Sequence, residues 1–276
     1  MPTRQLTVIG GHPTGAAATT RRDLWWVYPL VTVFVLTVFS IYVTWAALQG
    51  EHYYADPYLS PLYSPVLFSD PSASGAAPVT HAWLGAWPTW WPTFLPASPA
   101  ILILFFPGVF RFTCYYYRKA YYRAFTGSPP ACAVNPVTSR KYRGETAWLL
   151  FQNLHRYALY FAVFYIFILY YDAFFALFRN GELGIGVGTV ILFLNATFLG
   201  GYTFGCHALR HLVGGGFDCM SCGEETFRYG AWKRVSWLNA RHPIFAWMSL
   251  VWVVVTDVYV RLVSMGVITD LNTWTS

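Results

Sequence analysis

Apolar positions in this chain do not alternate with a strand period or recur with a helical one; they run together in long blocks separated by short polar stretches. Five blocks are mostly apolar, at 24–48, 98–121, 147–178, 183–212 and 243–267. At about 1.5 Å per residue, each is long enough to cross a hydrocarbon core of roughly 30 Å. The pattern predicts an all-α membrane protein, a bundle of five transmembrane helices in one domain over 1–276. An outer loop at 49–97 and inner loops at 122–146 and 213–242 would join the spans. No internal repeat, heptad or phosphate-binding loop interrupts the pattern. The first block starts late, is span-length and lacks a small-residue cleavage pattern, so it is expected to stay as an anchor.

Composition sharpens this. Of 276 residues 56% are hydrophobic, 20% aromatic and only 11% charged, whereas charged residues make up about a quarter of a soluble domain. The few basic residues also have a side. Arg4, Arg21 and Arg22 precede the first block. Arg118, Lys119, Arg123, Arg140, Lys141 and Arg143 lie at or between the ends of the second and third, and Arg228, Lys233, Arg234 and Arg241 between the fourth and fifth. The loop 49–97 has no Lys or Arg. Cytoplasmic loops retain positive charge, which places the N-terminus inside and the C-terminus outside. The outer loop, with its "WLGAWPTWWPTFLP", is expected to lie along the membrane interface, where aromatic rings collect.

On that topology all five cysteines fall at the reducing inner face, where structural disulfides are not expected. Cys114 and Cys206 lie near inner helix ends, and Cys132, Cys219 and Cys222 in inner loops. His155, His207, His211 and His242 share the bias. His207 and His211 are four apart, so on one helix their rings project from nearly one face. Cys206 would point roughly 100° away from His207 on that helix. Several readings meet these residues. Interfacial packing accounts for any one of them. A single haem b held, for example, between His155 and His211 accounts for the imidazoles but leaves the thiols unexplained. An iron–sulfur cluster with two Cys and two His, the Rieske pattern, accounts for both. A non-redox membrane protein binding zinc remains a further reading, with the Cys219-x-x-Cys222 pair lacking a second such pair. Charges inside the spans are expensive. Arg111 lies one turn before Cys114, Asp172 near the outer end of the third span, and Asp257 deeper in the fifth, four residues before its expected partner Arg261.

The stretches "FRFTCYYYRKAYYR" (110–123), "SPPACAV" (128–134), "QNLHRY" (152–157), "CHALRH" (206–211) and "LNARH" (238–242) resemble the single-polypeptide, five-helix membrane anchor of actinobacterial succinate dehydrogenases, the haem-less type F class. The likeness covers roughly residues 100–260. It implies a multi-pass subunit of respiratory complex II in the bacterial plasma membrane. A flavoprotein subunit oxidises succinate, an iron–sulfur subunit on the cytoplasmic face relays electrons, and the anchor delivers them to a quinone. It further implies a Rieske-type [2Fe-2S] cluster in place of haem. Cys114, Cys132 and Cys206 compete for its thiolate positions, and His155, His207 and His211 for its imidazole ones. Tyr115, Trp148, Arg156, Arg210 and His242 would address the quinone, with His242 alternatively supporting the cluster ligands. Besides those subunits the partners are membrane lipid, the quinone (menaquinone or ubiquinone-like) and further copies of the complex; nucleic acid is not among them. The anchor itself would not oxidise succinate.

Overall fold

The structure, a computed structural model, describes residues 14–138, 147–216 and 227–275. The chain divides into two compact units, residues 1–37 with 115–150 and residues 38–114 with 151–276.

Among the described residues four helices are long and apolar enough to cross a membrane: Val27–Gln49, Leu150–Phe175, Val187–Phe204 and His242–Ser264. The first is α1; the second is α5 proper (His155–Phe175) behind a 3₁₀ lead-in Ala147–Leu154; the third and fourth are α6 and α9. The block at 98–121, expected as one continuous helix, is instead cut into α2 (Pro99–Ile103), α3 (Phe105–Phe112) and α4 (Tyr115–Lys119), followed by a π-helical turn Ala120–Phe125. The first cut has a backbone cause. Pro107 has no N–H to donate to the carbonyl four residues back. That carbonyl, Ile103 O, accepts the Tyr165 hydroxyl of α5 at 2.9 Å instead. The block at 183–212 also breaks. Gly205 ends α6, Cys206 is extended (φ −63°, ψ 139°), and α7 (His207–Gly214) starts anew. The inner stretch 213–242, expected as loop, contains α8 (Phe227–Ala240). Its apolar content is too low to register as a span. It is tied to α7 by Arg228, which donates to Val213 O at 2.7 Å and to Gly215 O.

In the larger unit α5, α6 and α9 form the core. The hairpin Phe178–Arg179/Glu182–Leu183 (β3 and β4) makes α5 and α6 antiparallel. Ile166, Leu169 and Ala196 pack between them. The α6–α9 register is also antiparallel. Gly201 lies under Phe245, and the Trp252 indole donates to Ile191 O at 3.1 Å. Small residues at such contacts let backbones approach where lipid supplies no hydrophobic drive. α3 joins through Phe106 stacked on Phe161 at 4.4 Å.

Part of the 49–97 loop, expected along the interface, is core. Tyr53, Leu59, Leu62, Tyr63 and Val66 are buried with Ala46 of α1, around a short hairpin of β1 (Tyr54–Ala55) and β2 (Tyr58–Leu59). Trp83, Leu84, Trp90 and Phe94 remain exposed. Asp257 and Arg261 clamp this end. Arg261 donates to Asp257 at 2.7 Å, Glu51 O at 2.9 Å and Ala46 O at 3.2 Å. Asp257 also accepts from Tyr42 at 2.6 Å and from Ser60. Asp172 accepts from Ser64 of the same loop.

In the smaller unit the segment before α1 is pinned by Arg21, which donates to Cys132 O at 2.8 Å, and by Thr19, which donates to Ala133 O at 2.7 Å.

Candidate metal centre

Four helix ends of the larger unit bring two thiols and two imidazoles into its interior. Cys114 follows α3, His155 opens α5, Cys206 caps α7 and His242 opens α9. Their residues are 2%, 1%, 1% and 7% exposed, respectively. They meet as two pairs: His155 Nε2 is 2.9 Å from Cys206 Sγ, and His242 Nε2 is 3.4 Å from Cys114 Sγ. Aromatic rings hold the imidazoles in place. His155 stacks on Phe110 at 4.4 Å, His242 on Tyr202 at 4.8 Å, and Phe110 and Tyr202 meet edge to face at 5.6 Å.

The tautomer of His155 follows from its partners. Nδ1 lies 2.9 Å from Phe110 O, a group that can only accept, so Nδ1 carries the proton. Nε2 then presents a lone pair toward Cys206. Metal-bound histidines use this arrangement, the far N–H going to a carbonyl that fixes the ring and raises the basicity of the ligating nitrogen. Thr113 Oγ1, which donates to Val109 O at 2.7 Å, also lies 3.2 Å from Nδ1. Gln152 donates to Cys114 O at 3.4 Å. Arg111 spreads over the Tyr202 ring at 4.5 Å and donates to Ala246 O at 3.1 Å and Ser249 Oγ at 3.0 Å. A cation therefore stands beside the ring that carries His242.

Among the described residues no three His, Cys, Asp or Glu side chains converge as a site for one ion. Two thiol–imidazole pairs are a different arrangement, and the donor set, two Cys and two His, is that of a two-iron mixed-ligand cluster. The residues fit such a group in type and burial, and His155 fits it in tautomer.

The other sequence candidates stand elsewhere. His207 and His211 are exposed on α7, their Nε2 atoms 3.0 Å apart. His155 and His211 thus face different partners, and no axial pair for a haem is formed between them. Cys132 belongs to the smaller unit and is exposed. Arg123 beside it, donating to Sγ at 3.6 Å, lowers its thiol below the usual range, with Arg21 and Lys119 adding to the effect. Tyr115, also in that unit, lies under Arg118 at 4.8 Å. Arg156 is exposed and covers Tyr157 at 4.9 Å. Arg210 donates to Ser236 at 3.0 Å over Trp232 at 5.1 Å. The Trp148 side chain, Cys219 and Cys222 lie outside the described residues. Sequence reasoning gave His242 to the quinone; its pairing with Cys114 was not legible, although His242 directly before Pro243, a helix-opening proline, was the available signal.

Compared with known proteins, residues 27–266 match the family "Actinobacterial succinate dehydrogenase subunit SdhC". A chain of the solved "Mycobacterium smegmatis Sdh1 complex in the apo form" is similar at 40% identity with a TM-score of 0.81, covering 94% of each chain. A search of curated proteins found no match.

Proposed function

Because the chain belongs to the actinobacterial succinate dehydrogenase SdhC family, the membrane subunit of an oxidoreductase, we propose that it is the quinone-reducing anchor of its complex, with Cys114, Cys206, His155 and His242 holding a Rieske-type [2Fe-2S] cluster. The observation that carries this reading is the buried meeting of two thiols and two imidazoles, with the His155 proton held on Nδ1 by a backbone carbonyl. When bound, such a cluster supplies one-electron storage at a potential raised by its imidazole ligands.

The chain's own residues do the rest. Phe110 and Tyr202 wall the imidazoles from water, and Arg111 over the Tyr202 ring would place positive charge beside a bound cluster, which would favour its reduced form. Within the larger unit, Arg156 and Arg210 are assigned to the quinone carbonyls, while His242 moves from that set to the ligand set. Arg156 adjoins His155 in sequence and Arg210 lies one turn beyond Cys206, so both cations neighbour the buried pairs along the chain. We further assign the broken helix 99–112 to a fifth crossing that runs inward from the outer loop, with the N-terminus cytoplasmic. The basic inner face then seats the iron–sulfur subunit, whose association its field favours.

The test is electron paramagnetic resonance of the dithionite-reduced complex, taken as wild type minus variant to remove the signals of the iron–sulfur subunit. His155→Ala and His242→Ala are each expected to lose one rhombic signal of low average g. They should also lose quinone reduction while keeping succinate oxidation by an artificial acceptor. A signal unchanged in both variants overturns the assignment.

A further inference from the structure

The pair His207 and His211 is not used by the buried arrangement, and its geometry has a chemistry of its own. The two Nε2 atoms are 3.0 Å apart, and the rings cross nearly at right angles, 82° between planes with centroids at 4.5 Å. With metal–nitrogen bonds of about 2.0–2.1 Å, two ligands at octahedral to tetrahedral angles are separated by about 2.9–3.4 Å. The observed separation lies in that interval. Both residues are exposed and one turn apart on α7, so solvent can complete the coordination shell.

We propose that His207 and His211 form a second metal site, adjoining the buried pairs but sharing no ligand with them, that takes a labile divalent cation of the Zn2+ and Cu2+ class. In the ligand-free pair one ring must donate its Nε2 proton to the other. On binding, the donor ring moves that proton to Nδ1, and both Nε2 lone pairs turn to the ion, so no redox change is involved. The donor types set the selectivity. Two imidazoles without a carboxylate suit Zn2+, Cu2+ and Ni2+, whereas Mg2+ and Ca2+ require oxygen ligands. The adjacent cation, Arg210, donates to Ser236 Oγ at 3.0 Å and lies over Trp232 at 5.1 Å, and its charge still acts on His207, which favours a ligand set with no further cation.

The experiment uses the intact, chelator-washed complex. Zn2+ titration should count one site more in the wild type than in His207→Ala or His211→Ala. Each variant should weaken binding at least about 10-fold, the loss that even an outer-shell partner of a ligand causes. In the wild type, Zn2+ but not Mg2+ should protect both rings from diethyl pyrocarbonate, as read by peptide mass spectrometry; this arm needs no variant to fold. Equal protection by Mg2+, or an unchanged site count in both variants, overturns the proposal. So does loss of the reduced iron–sulfur signal in these variants, which would make the rings iron ligands. Cation counting does not depend on the buried cluster, so failure of either assignment is visible without the other.

Discussion

Replacing Arg261 by Met removes from Asp257 the one cation that pairs with it among the described residues. Asp257 is fully buried and the Arg261 side chain is only 5% exposed, so solvent does little to screen the pair. Arg261 also donates to two main-chain carbonyls, Glu51 O and Ala46 O, of which Ala46 O keeps a second donor in the Tyr63 hydroxyl at 2.5 Å. The substitution therefore leaves one buried charge with only hydroxyl donors, Tyr42 and Ser60, and one carbonyl stripped of its partner. Removing one member of a buried ion pair costs about 3–5 kcal/mol. Asp257→Asn in the same chain removes the stranded charge and keeps groups for Tyr42 and Ser60 to bond. The double variant should then lose only about 1–3 kcal/mol, the cost of the unmade hydrogen bonds. The assay is equilibrium unfolding of the purified chain in mixed micelles with a rising fraction of denaturing detergent, run as a double-mutant cycle. A coupling energy below about 0.5 kcal/mol, the level expected of independent sites, would refute the view that the clamp works through charge pairing.

Glycine substitutions test the packing. A Cβ on Gly188 would come within 2.6 Å of the Tyr58 ring, which is 1% exposed and anchored through its hydroxyl to Asp270 at 2.7 Å. Gly188→Ala should cost about 1–3 kcal/mol by overpacking, whereas Gly230→Ala on α8, with nothing within 4 Å of the new methyl, should gain up to about 1 kcal/mol of helix propensity; the same unfolding assay ranks them. At Cys132, the neighbouring Arg123 favours the thiolate, which is the reactive form. Its alkylation rate should rise with pH earlier than that of an ordinary thiol, and Arg123→Gln should move the profile to higher pH, as followed by mass spectrometry.

What the sequence disclosed and what it hid divide along a physical line. Long apolar runs announce helices because a bilayer demands them, so α1 and α9 were legible within three residues at each end, and α5 and α6 as parts of longer blocks. The charged pair at 257 and 261 was legible because one helical turn separates its members. The cut in 98–121 was not, because Pro107 alone does not decide between a kink and a stop. The outcome rests on Tyr165, 62 positions away, taking up the freed carbonyl. α8 was hidden because its support is lateral, from α7, and not its own apolarity. Cys206 would point away from His207 on one continuous helix; the break at Gly205 and Cys206 removes that constraint.

The two breaks near the candidate centre are the condition for it. Irregular backbone at membrane depth is tolerated only where protein or water satisfies its polar groups. Here side chains do so. Gln152 reaches Cys114 O, Asn239 donates to Gly205 O at 2.8 Å, and Cys206 Sγ accepts from Ala208 N at 3.3 Å. A continuous helix through either cysteine would hold the thiol at the direction its turn dictates. Ending the helix at Thr113 and at Gly205 frees each thiol to face an imidazole that itself opens a helix. Polar residues such as Gln152 and Asn239, which make poor candidates for catalysis by composition alone, thus acquire a role in this site as the partners that let the backbone stop there.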